Sequence, residues 1–310
     1  MILALAGGVG GAKLASGLAR VLPPEALTLV VNTGDDFEHL GLHVSPDLDT
    51  VMYNLAGRHN RETGWGVAGE TWHFMTALEQ LGGDTWFKLG DRDLAVHVER
   101  TRRLRAGETL SAVTASLALR FCIAPRLAPM SDDVVRTIVH TDKGELEFQD
   151  YFVRRRCEPV VRRLEYRGAA QAAPSRVLRE ALADPRLRAV VICPSNPYLS
   201  VAPMLALPTV RASLGALDVP VIVVSPIIGG RALKGPAAKL MSELGHTPSA
   251  LTVAEFYRDV MDTLVIDTED ESLVSVLADL GVSCQVTSTI MRNDADQEGL
   301  ARQLLNRIGA

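Results

Sequence analysis

Aromatic residues make up only 5% of the 310 positions, and cysteine occurs only four times. The thiols of Cys122, Cys157, Cys193 and Cys284 lie far apart and form no C-x-x-C pair, which argues against zinc and against a disulfide framework. They fit a reducing cytoplasm, each as a small apolar residue. Positive charge is short as well. At a formal charge of -5 the chain lacks the basic face that wholesale nucleic-acid binding requires. No apolar run approaches the ~18 residues of a membrane span. The first apolar run breaks at Gly7 and has no basic flank, so no signal peptide is expected. G-x-S-x-G and H-E-x-x-H are both missing, which removes two common hydrolase arrangements. No repeat or low-complexity tract is evident.

What the chain does have is 47% hydrophobic residues, enough for a substantial core. Apolar, β-branched runs at 2–6, 27–31, 189–192 and 219–224 lack polar alternation, as strands covered on both faces do. Shorter ones follow at 264–266 and 283–286, and helical patterns fill 14–22, 175–183, 204–217, 235–244, 253–262 and 297–308. This alternation predicts an α/β fold with a mostly parallel sheet. Positions 57–174 read differently: helical segments, then a hairpin around Asp142-Lys143-Gly144. We read the chain as a single domain, 1–310, with this stretch as an insertion capping one edge of the sheet.

The first strand runs into Gly7-Gly8-Val9-Gly10-Gly11-Ala12-Lys13 and then a helix. The dinucleotide fingerprint G-x-G-x-x-G fails, because Lys13 stands where its third glycine should be. Walker A fails too, since Leu14 follows the lysine. A general phosphate cradle survives: glycines for close backbone approach, a helix N-terminus and one ammonium. A structural strand-to-helix turn is the blander alternative. Pro194-Ser195-Asn196-Pro197 and Ser225-Pro226-Ile227-Ile228-Gly229-Gly230 also follow apolar runs. In a parallel sheet all these loops would share the rim where ligands bind.

Carboxylates cluster in the loops. Asp47 and Asp49, in Ser45-Pro46-Asp47-Leu48-Asp49-Thr50, suit either a helix cap or a divalent metal beside a phosphate site, with Asp35 and Asp36 next in line. Lys88-Leu89-Gly90-Asp91-Arg92-Asp93 opens a helix in which Asp93 and His97 form an i,i+4 pair, and Arg92 sits between two acids. Asp132 and Asp133 read first as caps. The basic run from Arg100 to Arg105 reads first as a solvated face, with an anion-facing or partner-facing patch as the alternative, and Lys234 and Lys239 as surface charge or further phosphate contacts.

Taken together, Gly7-Gly8-x-Gly10-x-x-Lys13, Ser45-Pro46-Asp47-Leu48-Asp49-Thr50, Leu89-Gly90-Asp91-Arg92-Asp93, Pro129-Met130-Ser131-Asp132-Asp133, Pro194-Ser195-Asn196-Pro197 and Ser225-Pro226-Ile227-Ile228-Gly229 resemble the CofD family, in family order over most of the chain. These are the 2-phospho-L-lactate transferases of coenzyme F-420 biosynthesis. The resemblance implies a Rossmann-like fold, Mg2+ and a homodimer. It also implies transfer of a phospho-acid (2-phospho-L-lactate, phosphoenolpyruvate or similar) from a guanylyl diphosphate donor to the ribityl hydroxyl of the deazaflavin FO, releasing GMP. By the same resemblance Gly7, Gly8, Gly10, Gly11 and Lys13 would cradle phosphate, and Ser195, Asn196, Ser225 and Gly229 would meet the donor. Asp49, Lys88 and Arg92 would meet FO, while Asp49 and Asp47 would act in catalysis and hold metal. Asp49→Ala is then expected to abolish turnover in a folded protein. Where many family loops carry Thr and Pro, this chain has Val9, Gly11 and Ala12. Two rivals are a nucleotide-sugar-binding regulatory protein of the related branch and a nicotinamide-dependent oxidoreductase, the latter opposed by the missing glycine.

Overall fold

The run Ile2–Ala6 is wholly buried and forms β1, the strand around which the rest of the main sheet is arranged. In the computed structural model, which describes residues 1–309, it leads into α1 (Gly8–Val21) and β2 (Leu27–Val31). A short hairpin, β3 (Phe37–His39) and β4 (Leu42–Val44), precedes α2 (Pro46–Leu55). The middle of the chain holds α3 (His73–Gln80), α4 (Asp91–Arg105), α5 (Leu110–Arg120), β5 (Arg126–Pro129), β6 (Arg136–Thr141), β7 (Gly144–Glu147) and β8 (Val161–Arg167). Next come α6 (Arg176–Leu182), β9 (Ala189–Ile192), α7 (Ala202–Leu205), α8 (Val210–Gly215), β10 (Val221–Val224), β11 (Ile227–Ile228) and β12 (Arg231–Ala232). The chain finishes with α9 (Ala237–Glu243), α10 (Ala250–Tyr257), β13 (Thr263–Ile266), α11 (Val274–Asp279), β14 (Ser283–Val286) and α12 (Asp294–Ile308).

Seven strands pair in parallel in the order β14-β13-β10-β9-β1-β2-β5, an α/β Rossmann-like arrangement. Side chains of β1 alternate between two cores, as the period of a strand demands. Leu3 and Leu5 join Val190 and Ile192 under α6, α9 and α10, while Ile2, Ala4 and Ala6 join Val191 under α1, α2, α5 and α12. Helices therefore cover both faces. No helix among the described residues is long and apolar enough to cross a membrane.

The stretch 57–174 does more than cap the sheet. Its β5 is the edge strand, pairing with β2, a role its sequence Arg-Leu-Ala-Pro conceals in four residues. The hairpin around Asp142-Lys143-Gly144 is present, extended by β8 into a separate three-stranded sheet. Two helices of this stretch cap each other. Glu70 accepts the first-turn N–H groups of Arg92 and Asp93 on α4 at 2.8 and 2.7 Å. Asp91 in turn accepts those of His73 and Phe74 on α3, both at 3.1 Å.

Candidate active site

Strands β1 and β9 are neighbours, yet the chain leaves β1 toward β2 on one side and returns to β9 on the other. Such a reversal of strand order opens a crevice at the carboxyl ends of the strands. Gly7 and Pro194 stand at the two lips. Helix α1 begins at Gly8 rather than at 14, so the glycine loop is the first turn of the helix. Gly8 has φ +64, the left-handed region that glycine enters without strain. Gly10 passes so close to Pro194 that a Cβ would drive into its carbonyl oxygen. The loops are stitched together: Gly7 N–H donates to Ser195 Oγ at 3.1 Å and Gly8 N–H to Asp47 Oδ1 at 2.7 Å. Beyond Gly8, first-turn N–H groups of α1 have no intrahelical partner and carry the positive end of the helix dipole.

These loops bound a cavity of about 760 Å³, a volume typical of small-molecule sites. Gly7, Gly8, Gly10, Lys13, Asp47, Asp49, Lys88, Ser195, Asn196 and Ser225 all line it. Three expected residues do not. Gly11 lies one step farther along α1, packed against Ser195. Gly229 turns its N–H to Asp270. Arg92 donates to the Ala68 carbonyl at 3.0 Å and stays outside, because the helix period turns Asp93, the next residue, inward instead.

Cations gather on one side. Lys13 donates to the Met291 carbonyl at 2.6 Å, and burial together with the charge of Lys234 holds its ammonium below the ordinary lysine value. Lys234 reaches across to the Thr63 carbonyl at 2.8 Å and also lines the cavity. Lys239 does not; it is tied to Glu243 at 2.6 Å. Asn196 uses its side-chain oxygen to cap the following turn, which leaves its buried Nδ2 without a partner on the cavity wall. The Ser225 hydroxyl closes its own turn with Ile227.

Neither Asp47 nor Asp49 caps its own helix; Asp47 instead takes the first N–H of α1. Helix α2 starts at Pro46, and Asp47 and Asp49 sit in its first turn with other partners. Asp47 Oδ2 and Asp35 Oδ1 both accept from Asn32 Nδ2, at 3.0 and 2.9 Å, and both residues line the cavity. Burial pushes the Asp47 carboxyl up to about 6. Asp35 is raised well above the usual carboxylate range, first by burial and then by the charge of Asp47.

Asp49 has a different fate. Both its oxygens accept from Arg100, a residue fully buried on α4. The sequence, where Arg100 opens a run of basic residues, reads it as solvated. Only the helix period sets it apart: it lies seven residues after Asp93, on the inward stripe, whereas Arg102 and Arg103 pair with Glu99 and Glu108 at the surface. Asp132 and Asp133 bind backbone N–H groups of Ser111 and Ala173, and do not enter the cavity.

The remaining wall is aromatic. Tyr53, Trp65, Trp86, Phe87, Phe148 and Phe152 line it. Phe148 and Phe152 stack with ring centroids 5.3 Å apart, and Trp86 meets Phe87 edge-on at 5.7 Å. A chain with few aromatics has thus concentrated six of them in one cavity. The same cavity thus offers backbone donors and ammonium groups to an anion and flat apolar surface to a ring system.

A family model described as 2-phospho-L-lactate transferase CofD matches residues 2–301. A phosphoenolpyruvate transferase of Streptomyces avermitilis is 42% identical over 310 residues, covering 98% of this chain and 97% of its own. A 2-phospho-L-lactate transferase of Methanosarcina mazei is 37% identical over 300 residues, covering 97% and 98%. Among solved structures, a UPF0052-family protein of Bacillus halodurans superposes with a TM-score of 0.64 at 13% identity, covering 98% of this chain and 99% of its own, a likeness of fold alone.

Proposed function

The chain belongs to the CofD family of transferases, and on that premise we propose that its cavity transfers a phospho-acid from a guanylyl diphosphate donor to the ribityl hydroxyl of FO. The observation that carries this reading is the mixed lining of one cavity: a helix N-terminus with Lys13 and Lys234, together with six aromatic residues and Lys88. One P–O bond forms to the acceptor oxygen as the P–O bond to GMP breaks, and the hydroxyl's proton leaves to the departing GMP phosphate or to water. The chain supplies no nucleophile; it holds the partners in line and screens charge. The first-turn N–H groups of α1 and Lys13 hold the diphosphate. Ser195, Asn196 and the turn opened by Ser225 face the guanylyl donor. Trp86, Phe87, Phe148 and Phe152 receive the deazaflavin ring.

Mg2+ fits Asp35 and Asp47 better than Asp47 and Asp49. The first pair is buried, shares the Asn32 amide and otherwise meets only neutral donors, the Gly8 and Gln149 N–H groups among them, with no ion pair, whereas Asp49 is already neutralised by Arg100. When bound, the ion would neutralise charge on the diphosphate oxygens. Between about pH 4, where a free Asp ionises, and about pH 6, where Asp47 does, the folded chain keeps a proton that the unfolded chain has lost. Stability therefore falls as pH rises through that window, and a bound cation offsets the loss. At pH 8, saturating Mg2+ should raise the melting temperature of the wild type by about 2–4 °C, and that of Asp35→Asn clearly less. Equal shifts in both would remove the ion from this pair.

Incubation with FO, a guanylylated phospho-acid and Mg2+ should yield GMP and a product whose mass names the acid. Tight UDP-sugar binding without any fluorescence change on FO titration would favour the regulatory alternative instead.

A further inference from the structure

We infer that Asp93 and His97 form a hydroxyl-binding pair in the cavity wall, taking one hydroxyl of the acceptor's polyol chain between them. The inference rests on the transferase reading above and adds residues that reading does not use.

Asp93, His97 and Arg100 share one stripe of α4, and Asp93 and His97 line the cavity with Tyr53 and Asp49. The Arg100 guanidinium donates to both oxygens of Asp49, and the same nitrogen that serves Asp49 Oδ2 at 2.9 Å lies 3.3 Å from His97 Nδ1. A guanidinium has no acceptor. Asp49 Oδ2 also lies 3.6 Å from Nδ1, but it already accepts from Arg100 at 2.9 Å; with the guanidinium as the nearer neighbour, Nδ1 is assigned as acceptor and the ring proton to Nε2. That Nε2 is buried and has no hydrogen-bond partner; it lies 3.3 Å from Asp93 Oδ1 without being aligned with it. Asp93 Oδ1 accepts from Tyr53 Oη at 2.6 Å, and Oδ2 makes no hydrogen bond among the described residues. Burial alone would raise the Asp93 carboxyl, yet His97, Tyr53 and Arg100 together hold it below the usual range, so it remains an acceptor.

An unpartnered donor thus stands beside an acceptor with capacity to spare. Donor atoms of Asp49, Asp93 and His97 lie within 4.8 Å of one another, a spacing that would also suit a metal ion. Arg100 already occupies the Asp49 corner with a positive charge, so a second cation there would have to displace it. A neutral group that both gives and receives a hydrogen bond at one atom needs no displacement of Arg100, and a hydroxyl is that group. The segment carrying Trp86, Phe87 and Lys88 runs directly into α4, which puts the pair on the acceptor side of the cavity.

The test uses the full chain, FO, and a deazaflavin ring lacking the polyol chain, with binding followed by fluorescence. Asp93→Asn should weaken FO binding about 10-fold or more and raise the KM for FO while leaving the donor KM unchanged. The same substitution should leave the chain-less ring unaffected, and the wild type should prefer FO over that ring by a comparable factor. His97→Phe should resemble Asp93→Asn. FO binding untouched by Asp93→Asn overturns the pair. An equal loss for the chain-less ring overturns the hydroxyl assignment in favour of the ring edge. Failure of the wild type to bind FO at all overturns the transferase reading, and this inference with it.

Discussion

Arg100→Met should cost the fold about 3–5 kcal/mol, because it strands the Asp49 carboxylate in the interior with its cation removed. At this chain length that corresponds to a melting temperature lower by about 5–8 °C. The double variant Arg100→Met/Asp49→Leu should recover most of the loss, since two apolar groups of similar volume replace a buried ion pair at little net cost. A single variant that melts within about 1 °C of the wild type would show that the pair contributes nothing. The same reasoning changes the reading of Asp49→Ala. Sequence alone makes it a clean removal of function. With Arg100 left unpaired by it, the variant should lose stability together with turnover, and its inactivity would say little about chemistry.

Gly10→Ala should lower kcat/KM for the donor by about 100-fold, the scale expected when a site is displaced by ~1 Å. The added methyl would meet the Pro194 carbonyl, which is backbone and cannot swing aside, so α1 and the loop after β9 must separate. Those two segments form the lips of the crevice. Gly299→Ala is the matched control: it too is a helical glycine, but open space surrounds it. That change should be neutral or stabilise by up to ~1 kcal/mol. Comparable loss of activity in both variants would refute the geometric explanation.

Much of this architecture is legible in the sequence because parallel strands buried on both faces announce themselves as unbroken apolar runs. β1, β2, β9 and β10 all do so. β5 does not, being four residues long with Arg at one end and Pro at the other. The start of α1 is hidden for another reason. Glycine is a poor helix former, so local propensity places the start at 14, whereas packing against α2 and α12 holds the first turn helical from Gly8. In the site, loops fixed by strand ends are foreseeable: Gly8, Lys13, Asp47 and Ser195 converge as expected. Partners chosen by long-range packing are not. Arg100 reaches Asp49 from 51 positions away, and Asp35 meets Asp47 through Asn32, neither of which any local pattern encodes.

The exchange of caps between Glu70 and Asp91 makes α3 and α4 mutually dependent at their starts. Neither helix can fray from that end without stripping donors or acceptors from the other. Trp86, Phe87 and Lys88 lie on the chain between them, so the wall that would hold the deazaflavin is suspended from a two-point hinge pin. Loosening one carboxylate, for instance by Glu70→Gln, should release both helix starts at once, and amide exchange there should speed up in concert while that of β1 and β9 stays slow.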